Sequence, residues 1–191
     1  MSDSDKFGST DCHVCPWWLA YTFDNPLRRL AHDPEKMLGK FIKEGDTAVD
    51  IGCGMGHFSI GMAKLVGEMG RVVSADLQEE MLERVRSRAL KQGLLPRIIL
   101  HKCSPDRLGV NEKADFALGF WMVHEVRDKE SFFNEVVAFL KPGGRFLIAE
   151  PRIHVTESYF RKLADTAAQS GLKPDSEEKI NLSRAIIFIK P

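Results

Sequence analysis

The chain carries no excess charge of either sign: 27 Lys and Arg balance 27 Asp and Glu. That balance argues against duplex nucleic acid as a partner, because such binding draws on a concentrated positive field. The local basic cluster of Arg84, Arg86, Arg88, Lys91, Arg97, Lys102 and Arg107 reads as the solvated face of a helix and its following loop. No stretch approaches the ~20 apolar residues that a membrane span needs. Residues 1–11 are polar and acidic, unlike the basic and then apolar pattern of a secretory signal. Cysteine is scarce. Cys12, Cys15, Cys53 and Cys103 read as reduced thiols of a cytoplasmic protein and not as a disulfide framework. There is no repeat and no low-complexity segment. What remains is a chain of 191 residues, 43% hydrophobic and 28% charged, which fits one globular domain with a real core.

Elements alternate along that domain. Residues 1–11 read as a flexible N-terminus and 12–41 as a helical lid. Asp24-Asn25-Pro26 and Asp33-Pro34-Glu35 each place a capping side chain before a proline suited to the first helical turn, predicting short helices over 26–31 and 34–41. From residue 42 onward the pattern predicts strands at 47–51, 71–76, 97–102, 114–121 and 145–150. Helices are predicted at 57–67, 78–92, 128–140 and 156–170. Residues 141–144, Lys-Pro-Gly-Gly, read as a sharp turn. Two short strands, 178–182 and 185–190, are close enough in sequence to pair antiparallel as a hairpin. The expected fold is α/β: a doubly wound, mostly parallel seven-stranded sheet with an antiparallel last strand and an N-terminal helical extension.

Residues 49–56, Val-Asp-Ile-Gly-Cys-Gly-Met-Gly, carry the strongest signal. An apolar run ends in Gly52, Gly54 and Gly56, and a helical pattern begins at once with Phe58, Ile60, Met62, Ala63 and Leu65. A glycine-rich turn lets a ligand approach the backbone, and the helix N-terminal N–H groups point at it. The third glycine falls one residue earlier than in the dinucleotide fingerprint G-x-G-x-x-G, and no Gly-Lys-Ser/Thr marks a P-loop. A second acid follows at Asp76, 20 residues past Gly56, at the end of the next strand. In a β-α-β unit that strand end lies beside the glycine turn, where a carboxylate can accept both ribose hydroxyls of a nucleoside.

The G-x-G-x-G form led by Asp50 resembles motif I of class I S-adenosylmethionine-dependent methyltransferases. Residues 119–126, Gly-Phe-Trp-Met-Val-His-Glu-Val, resemble that family's strand-four motif, and residues 140–145, Leu-Lys-Pro-Gly-Gly-Arg, its turn before strand five. The likeness covers residues 40–190 and is nearest in flavour to the small-molecule branch that includes ubiquinone/menaquinone-biosynthesis methyltransferases. It implies S-adenosylmethionine as cofactor, with its methionine part at Gly52, Cys53, Gly54 and Gly56. Asp50 would orient the amino group, Asp76 take the ribose, Leu77 lie against adenine and Phe120 line the methionine side. Where the family has Gly-Asp and then a backbone N–H for adenine, this chain has Cys103-Ser104-Pro105. Ser104 can still bond the adenine amino group, but Pro105 offers no N–H, leaving Asp106 as an alternative.

Methyl transfer is an in-line displacement in which the protein chiefly aligns the reactants in a water-poor pocket. If the acceptor must lose a proton, His124, Glu125 and Glu150 are the candidate bases. The plainer readings make His124 a cap of the next helix and the two acids helix-start or loop residues. Trp17, Trp18, Tyr21 and Trp121 are the candidate acceptor contacts. The expected partner is a small-molecule acceptor, with no nucleic acid, for a monomer or homodimer. Cys12-x-x-Cys15 reads most simply as an inert packed pair. It is also compatible with half a zinc site or with a soft metalloid or thiol acceptor, but no resident metal is expected. Rival functions are a catalytically inactive S-adenosylmethionine-binding regulatory module, an NAD(P) or nucleotide-sugar enzyme on a similar sheet, and a metal-binding interaction module.

Overall fold

The structure is a computed structural model and describes residues 32–191. The expected helix at 26–31, Trp17, Trp18, Tyr21, Cys12 and Cys15 lie outside the described residues. Helix α1 (Pro34–Leu38) starts as its sequence dictates: the Asp33 carboxylate accepts the Glu35 and Lys36 N–H groups at 3.1 and 3.2 Å, and Pro34 fills the first position. It stops at Gly39, short of the expected residue 41.

Five strands then alternate with helices: β1 (Thr47–Ile51), α2 (His57–Leu65), β2 (Arg71–Asp76), α3 (Glu79–Lys91), β3 (Ile98–Lys102), β4 (Ala114–Phe120), α4 (Lys129–Phe139), β5 (Leu140–Pro151) and α5 (Glu157–Gln169). The chain closes with β6 (Lys173–Glu177) and β7 (Ser183–Ile189). The seven strands form one sheet in the order β3-β2-β1-β4-β5-β7-β6. All pairings through β5 are parallel, and β7 runs antiparallel to both β5 and β6.

Alternation along the strands sorts the core into two layers. Ala48, Val72, Phe116, Leu118 and Leu147 face α1, α2 and α3, whereas Val49, Ile51, Val73, Phe146 and Ile148 face α4 and α5. Beside Val49 and Ile51, the same period turns Asp50 toward α2. Beyond Phe146 and Ile148 it turns Glu150 toward the α4–α5 side.

One expectation is borne out inside a strand and one is corrected. The Lys-Pro-Gly-Gly turn falls within the range of β5: Gly143 sits at φ 76°, Gly144 folds back against Lys141, and the register against β4 shifts between Ala114 and Phe116. Gly143 N–H donates to the Lys190 carbonyl at 2.8 Å, and Lys141 Nζ holds both Asp115 carboxylate oxygens at 2.7 and 2.9 Å, so the segment is stitched to both neighbours. The sixth strand lies at Lys173–Glu177 and not at 178–182. All five of its residues are exposed, as suits an edge strand that also tolerates Pro174. Residues 178–182 instead form the bend into β7, with Leu182 in the left-handed region at φ 60° and Ser183 N–H bonded to the Ile180 carbonyl.

Candidate active site

In an open α/β sheet a ligand crevice opens beyond the strand carboxyl ends where strand order reverses. Here β1 lies between β2 and β4, which puts that point between β1 and β4. A cavity of about 430 Å³ occupies it. Gly52, Gly54, Asp76, Leu77, Ser104, Phe120, Trp121 and Glu125 line it, so eight of the residues singled out from sequence share one space.

The floor is the glycine turn. Gly52 and Cys53 donate their N–H groups to the Ala75 carbonyl at 2.8 and 3.1 Å, tying the turn to β2. A side chain at Gly52 would press a Cβ to 3.0 Å from Met122 Cγ, so the residue lets Met122 close over the turn. Gly54 differs: its φ is +51° and a Cβ there would meet nothing within 4 Å, because the position faces open volume. The turn therefore leaves a bare stretch of backbone against the cavity.

Asp76 stands at the end of β2 and is only 8% exposed. Its Oδ2 accepts the Gly54 N–H and its Oδ1 the Gln78 N–H, both at 2.9 Å. Burial raises its pKa, opposed by those backbone hydrogen bonds. Asp50, Cys53 and Gly56 sit behind the turn and not in the cavity wall. Asp50 is buried and accepts the Ser59 hydroxyl of α2 at 2.5 Å, which anchors the turn from beneath.

On the far side of β4, His124 and Glu150 form a pair. Glu150 is fully buried; its Oε1 accepts the His124 backbone N–H at 3.2 Å and its Oε2 faces His124 Nδ1 at 2.5 Å. Glu125 Oε1 lies 3.9 Å from His124 Nε2. Burial alone would lower the His124 pKa, but the hydrogen bond and charge of Glu150, helped by Glu125, outweigh it and the net shift is upward. His124 does not cap a helix: α4 is capped by Asp128, whose Oδ1 accepts the Ser131 N–H at 2.9 Å. Glu150 lies within β5 and is no loop acid, whereas Glu125 sits in a single 3-10 turn, Val123–Glu125, as the plainer reading allows.

Trp121 stands between the two halves in the left-handed region, with φ 58°. Its indole Nε1–H donates to Ser183 Oγ at 2.8 Å, and its ring stacks on Phe120 at 5.2 Å. His32 packs edge-on against both rings, which brings the end of the N-terminal segment to this corner of the cavity.

The two described thiols are poor nucleophiles. Burial, with Asp50 and Asp76 nearby, pushes the Cys53 thiol well above its ordinary range, and burial with the charge of Asp76 carries Cys103 to about 12. Among the described residues, no three His, Cys, Asp or Glu side chains cluster as metal ligands. The basic cluster is largely matched by acids: Arg86, Arg97, Lys102 and Arg107 pair with Glu83, Glu68, Glu79 and Glu135. No helix of the described residues is long and apolar enough to cross a membrane.

Sequence reasoning missed several wall residues: Gln78, Met81, Met122, Phe132 and Glu135. Gln78 and Met122 directly follow predicted site residues and could have been taken with them. Phe132 and Glu135 arrive from α4 and carry no local signal.

A bare glycine turn and a strand-end acid, lining a cavity where the order of a seven-stranded sheet reverses, define the class I S-adenosylmethionine-dependent methyltransferase architecture. A methyltransferase-domain family model matches residues 42–182, and the chain belongs to that family. It is similar to the ubiquinone/menaquinone biosynthesis C-methyltransferase UbiE of Haemophilus ducreyi, at 30% identity over 110 residues, covering 57% of this chain and 42% of that protein. The chain thus spans less than half the length of that curated relative. A SAM-dependent methyltransferase from Aquifex aeolicus shares the fold with TM-score 0.82 at 23% identity, covering 92% of this chain and 98% of the other. The geranyl diphosphate C-methyltransferase of Streptomyces coelicolor A3(2), crystallised with Mg2+, geranyl diphosphate and S-adenosyl-L-homocysteine, shares it with TM-score 0.70 at 15% identity, covering 86% and 78%.

Proposed function

We propose that this protein transfers a methyl group from S-adenosylmethionine to a small-molecule acceptor, with His124 as the base when the acceptor must release a proton. The observation that carries the reading is one cavity whose wall includes Gly52, Gly54, Asp76 and Glu125; the His124–Glu150 pair stands outside that wall, with His124 Nε2 3.9 Å from the wall residue Glu125. The residues present suit the cofactor. Gly54 leaves space that any Cβ would fill, the Asp76 carboxylate fits a vicinal diol, and Leu77, Met81 and Phe132 offer apolar surface for a purine. When bound, the cofactor supplies an activated methyl on a sulfonium.

The chain's own residues bind, orient and move a proton. Glu150 can only accept at its ionised oxygens, so His124 Nδ1 carries the proton of that bond, and the neutral ring keeps a lone pair on Nε2. Nε2 is then the atom that takes a proton from an acceptor, and Glu125 beside it favours the imidazolium so formed. Phe120 and Trp121 keep water from the same corner. The position of His32 against these rings supports the segment 12–41 as the acceptor lid, with Trp17, Trp18 and Tyr21 as its contacts. The free thiols Cys53 and Cys103 support a cytoplasmic setting.

Calorimetric titration with S-adenosylhomocysteine tests the assignment. Asp76→Ala should weaken binding by at least about a hundredfold, the worth of charged hydrogen bonds to two hydroxyls, whereas His124→Ala should leave it unchanged. Equal affinity in wild type and Asp76→Ala would sink the proposal.

A further inference from the structure

The turn over residues 104–107 forms one wall of the cavity yet belongs to no helix or strand. It is closed by a reciprocal pair: Ser104 N–H to the Arg107 carbonyl at 3.0 Å, and Arg107 N–H to the Ser104 carbonyl at 3.2 Å. Pro105 and Asp106 stand at its tip. At its start, Cys103 N–H donates to the Asp76 carbonyl at 2.9 Å, so the turn begins beside the acid assigned to the ribose. Its exit is held from two other elements. His101 of β3 donates Nε2–H to the Leu108 carbonyl at 2.7 Å. Glu135 of α4 accepts the Leu108 N–H at 3.1 Å on Oε1 and the Gly109 N–H at 2.8 Å on Oε2. Arg107 Nε lies 3.9 Å from the same Oε2.

This is an unusual use of a helix carboxylate. Both oxygens of Glu135, whose side chain is 24% exposed, are spent on consecutive amides of a loop rather than on solvent or a single cation. Two charge-assisted bonds from one rigid helix fix the height and tilt of the loop. Pro105 has no N–H to offer, and the polar side chains at the tip are Ser104, whose hydroxyl donates to the Arg107 carbonyl at 3.4 Å, and Asp106. Where those groups stand depends on how the loop is held.

We infer that Glu135 is a positioning residue for the purine end of the cofactor: by gripping the Leu108 and Gly109 amides it sets the 104–107 turn that discriminates the base. The inference rests on the cofactor assignment above. Although Glu135 borders the cavity, its two oxygens are held by the Leu108 and Gly109 amides, so it acts through the turn.

Calorimetric titrations of the full chain with S-adenosylhomocysteine and with S-inosylhomocysteine, its 6-oxo counterpart, test it. Wild type should prefer the adenine ligand by about tenfold, one well-placed hydrogen bond. Glu135→Ala should bring that preference close to one, while the inosyl ligand loses less than about threefold in affinity. Glu135→Gln keeps the shape but offers one acceptor oxygen where Leu108 and Gly109 now bond to two. It should retain an intermediate preference and serves as the measurable variant if the alanine form does not fold. Loss of affinity by the same factor for both ligands would mean that Glu135 is merely structural, and an unchanged preference in both variants would equally overturn the inference while leaving the cofactor reading intact. A wild type that binds neither ligand would overturn both.

Discussion

Replacing Glu150 by Gln removes the charge of the His124 contact together with one of its two acceptor oxygens. The amide keeps the volume and one acceptor oxygen but loses the charge. In the native protein two influences oppose each other at the ring. Burial disfavours the imidazolium, and the carboxylate of Glu150, at 2.5 Å from Nδ1, favours it and prevails with the help of Glu125. With the Glu150 charge removed, burial regains the upper hand and the His124 titration midpoint should fall below that of wild type. The size follows from the difference between a hydrogen bond to a charged group and one between neutral groups, about 1–2 kcal/mol. For a chain of this length that corresponds to a loss of about 2–8 °C in Tm. The sign with pH is fixed. A histidine whose folded pKa lies above its unfolded value contributes stability that is fully present below about 6.5 and is lost as pH rises through the raised folded value. The gap in Tm between wild type and Glu150→Gln should therefore be widest near about pH 5.5 and narrower at alkaline pH, beyond the raised folded value. Proton NMR titration of the His124 ring and thermal melts at acidic and alkaline pH measure both effects. A midpoint in the variant equal to or higher than in wild type, or a Tm gap indifferent to pH, would refute the reasoning.

Two further outcomes follow from the cavity. Gly52→Ala and Gly54→Ala each place a Cβ at positive φ, at a cost of about 1–2 kcal/mol. Only Gly52→Ala must also displace Met122, from a contact of 3.0 Å, so it should melt lower in a thermal scan, while Gly54→Ala should lose S-adenosylhomocysteine affinity out of proportion to its stability. Cys103 lines the cavity, yet its thiol is pushed to about 12. In the folded protein it should resist iodoacetamide at about pH 8, where an ordinary thiol of pKa about 8.5 reacts readily, and peptide mass analysis would show modification if it is instead a working nucleophile.

The doubly wound sheet was legible because its signals are local. The apolar runs of β1 and β2 end in a glycine turn and an acid, and Asp33-Pro34 announces its helix through capping chemistry that the structure reproduces. The misplaced sixth strand shows the limit of that legibility. Ile180 and Leu182 alternate as strand residues do, whereas Lys173-Pro174-Asp175-Ser176-Glu177 contains no aliphatic or aromatic side chain. An edge strand with both faces in water is held by its backbone pairing with β7, and backbone pairing leaves no mark in residue types. The turn in Pro142-Gly143-Gly144 was legible from composition, but not that it falls within β5, where Gly143 N–H bonds across the sheet to the Lys190 carbonyl.

The sequence by itself determined that a backbone turn free of side chains would meet an acid at the neighbouring strand tip, because glycine spacing, strand length and the hand of a β-α-β crossover leave that acid no other place. Only the tertiary structure decided what each side chain does there. It turned Asp50 inward to Ser59, joined His124 to Glu150 across 26 residues, and brought Glu135 from α4 onto the loop after β3. Such partners are chosen by which faces the packed layers bring together, and no spacing along a single chain encodes that.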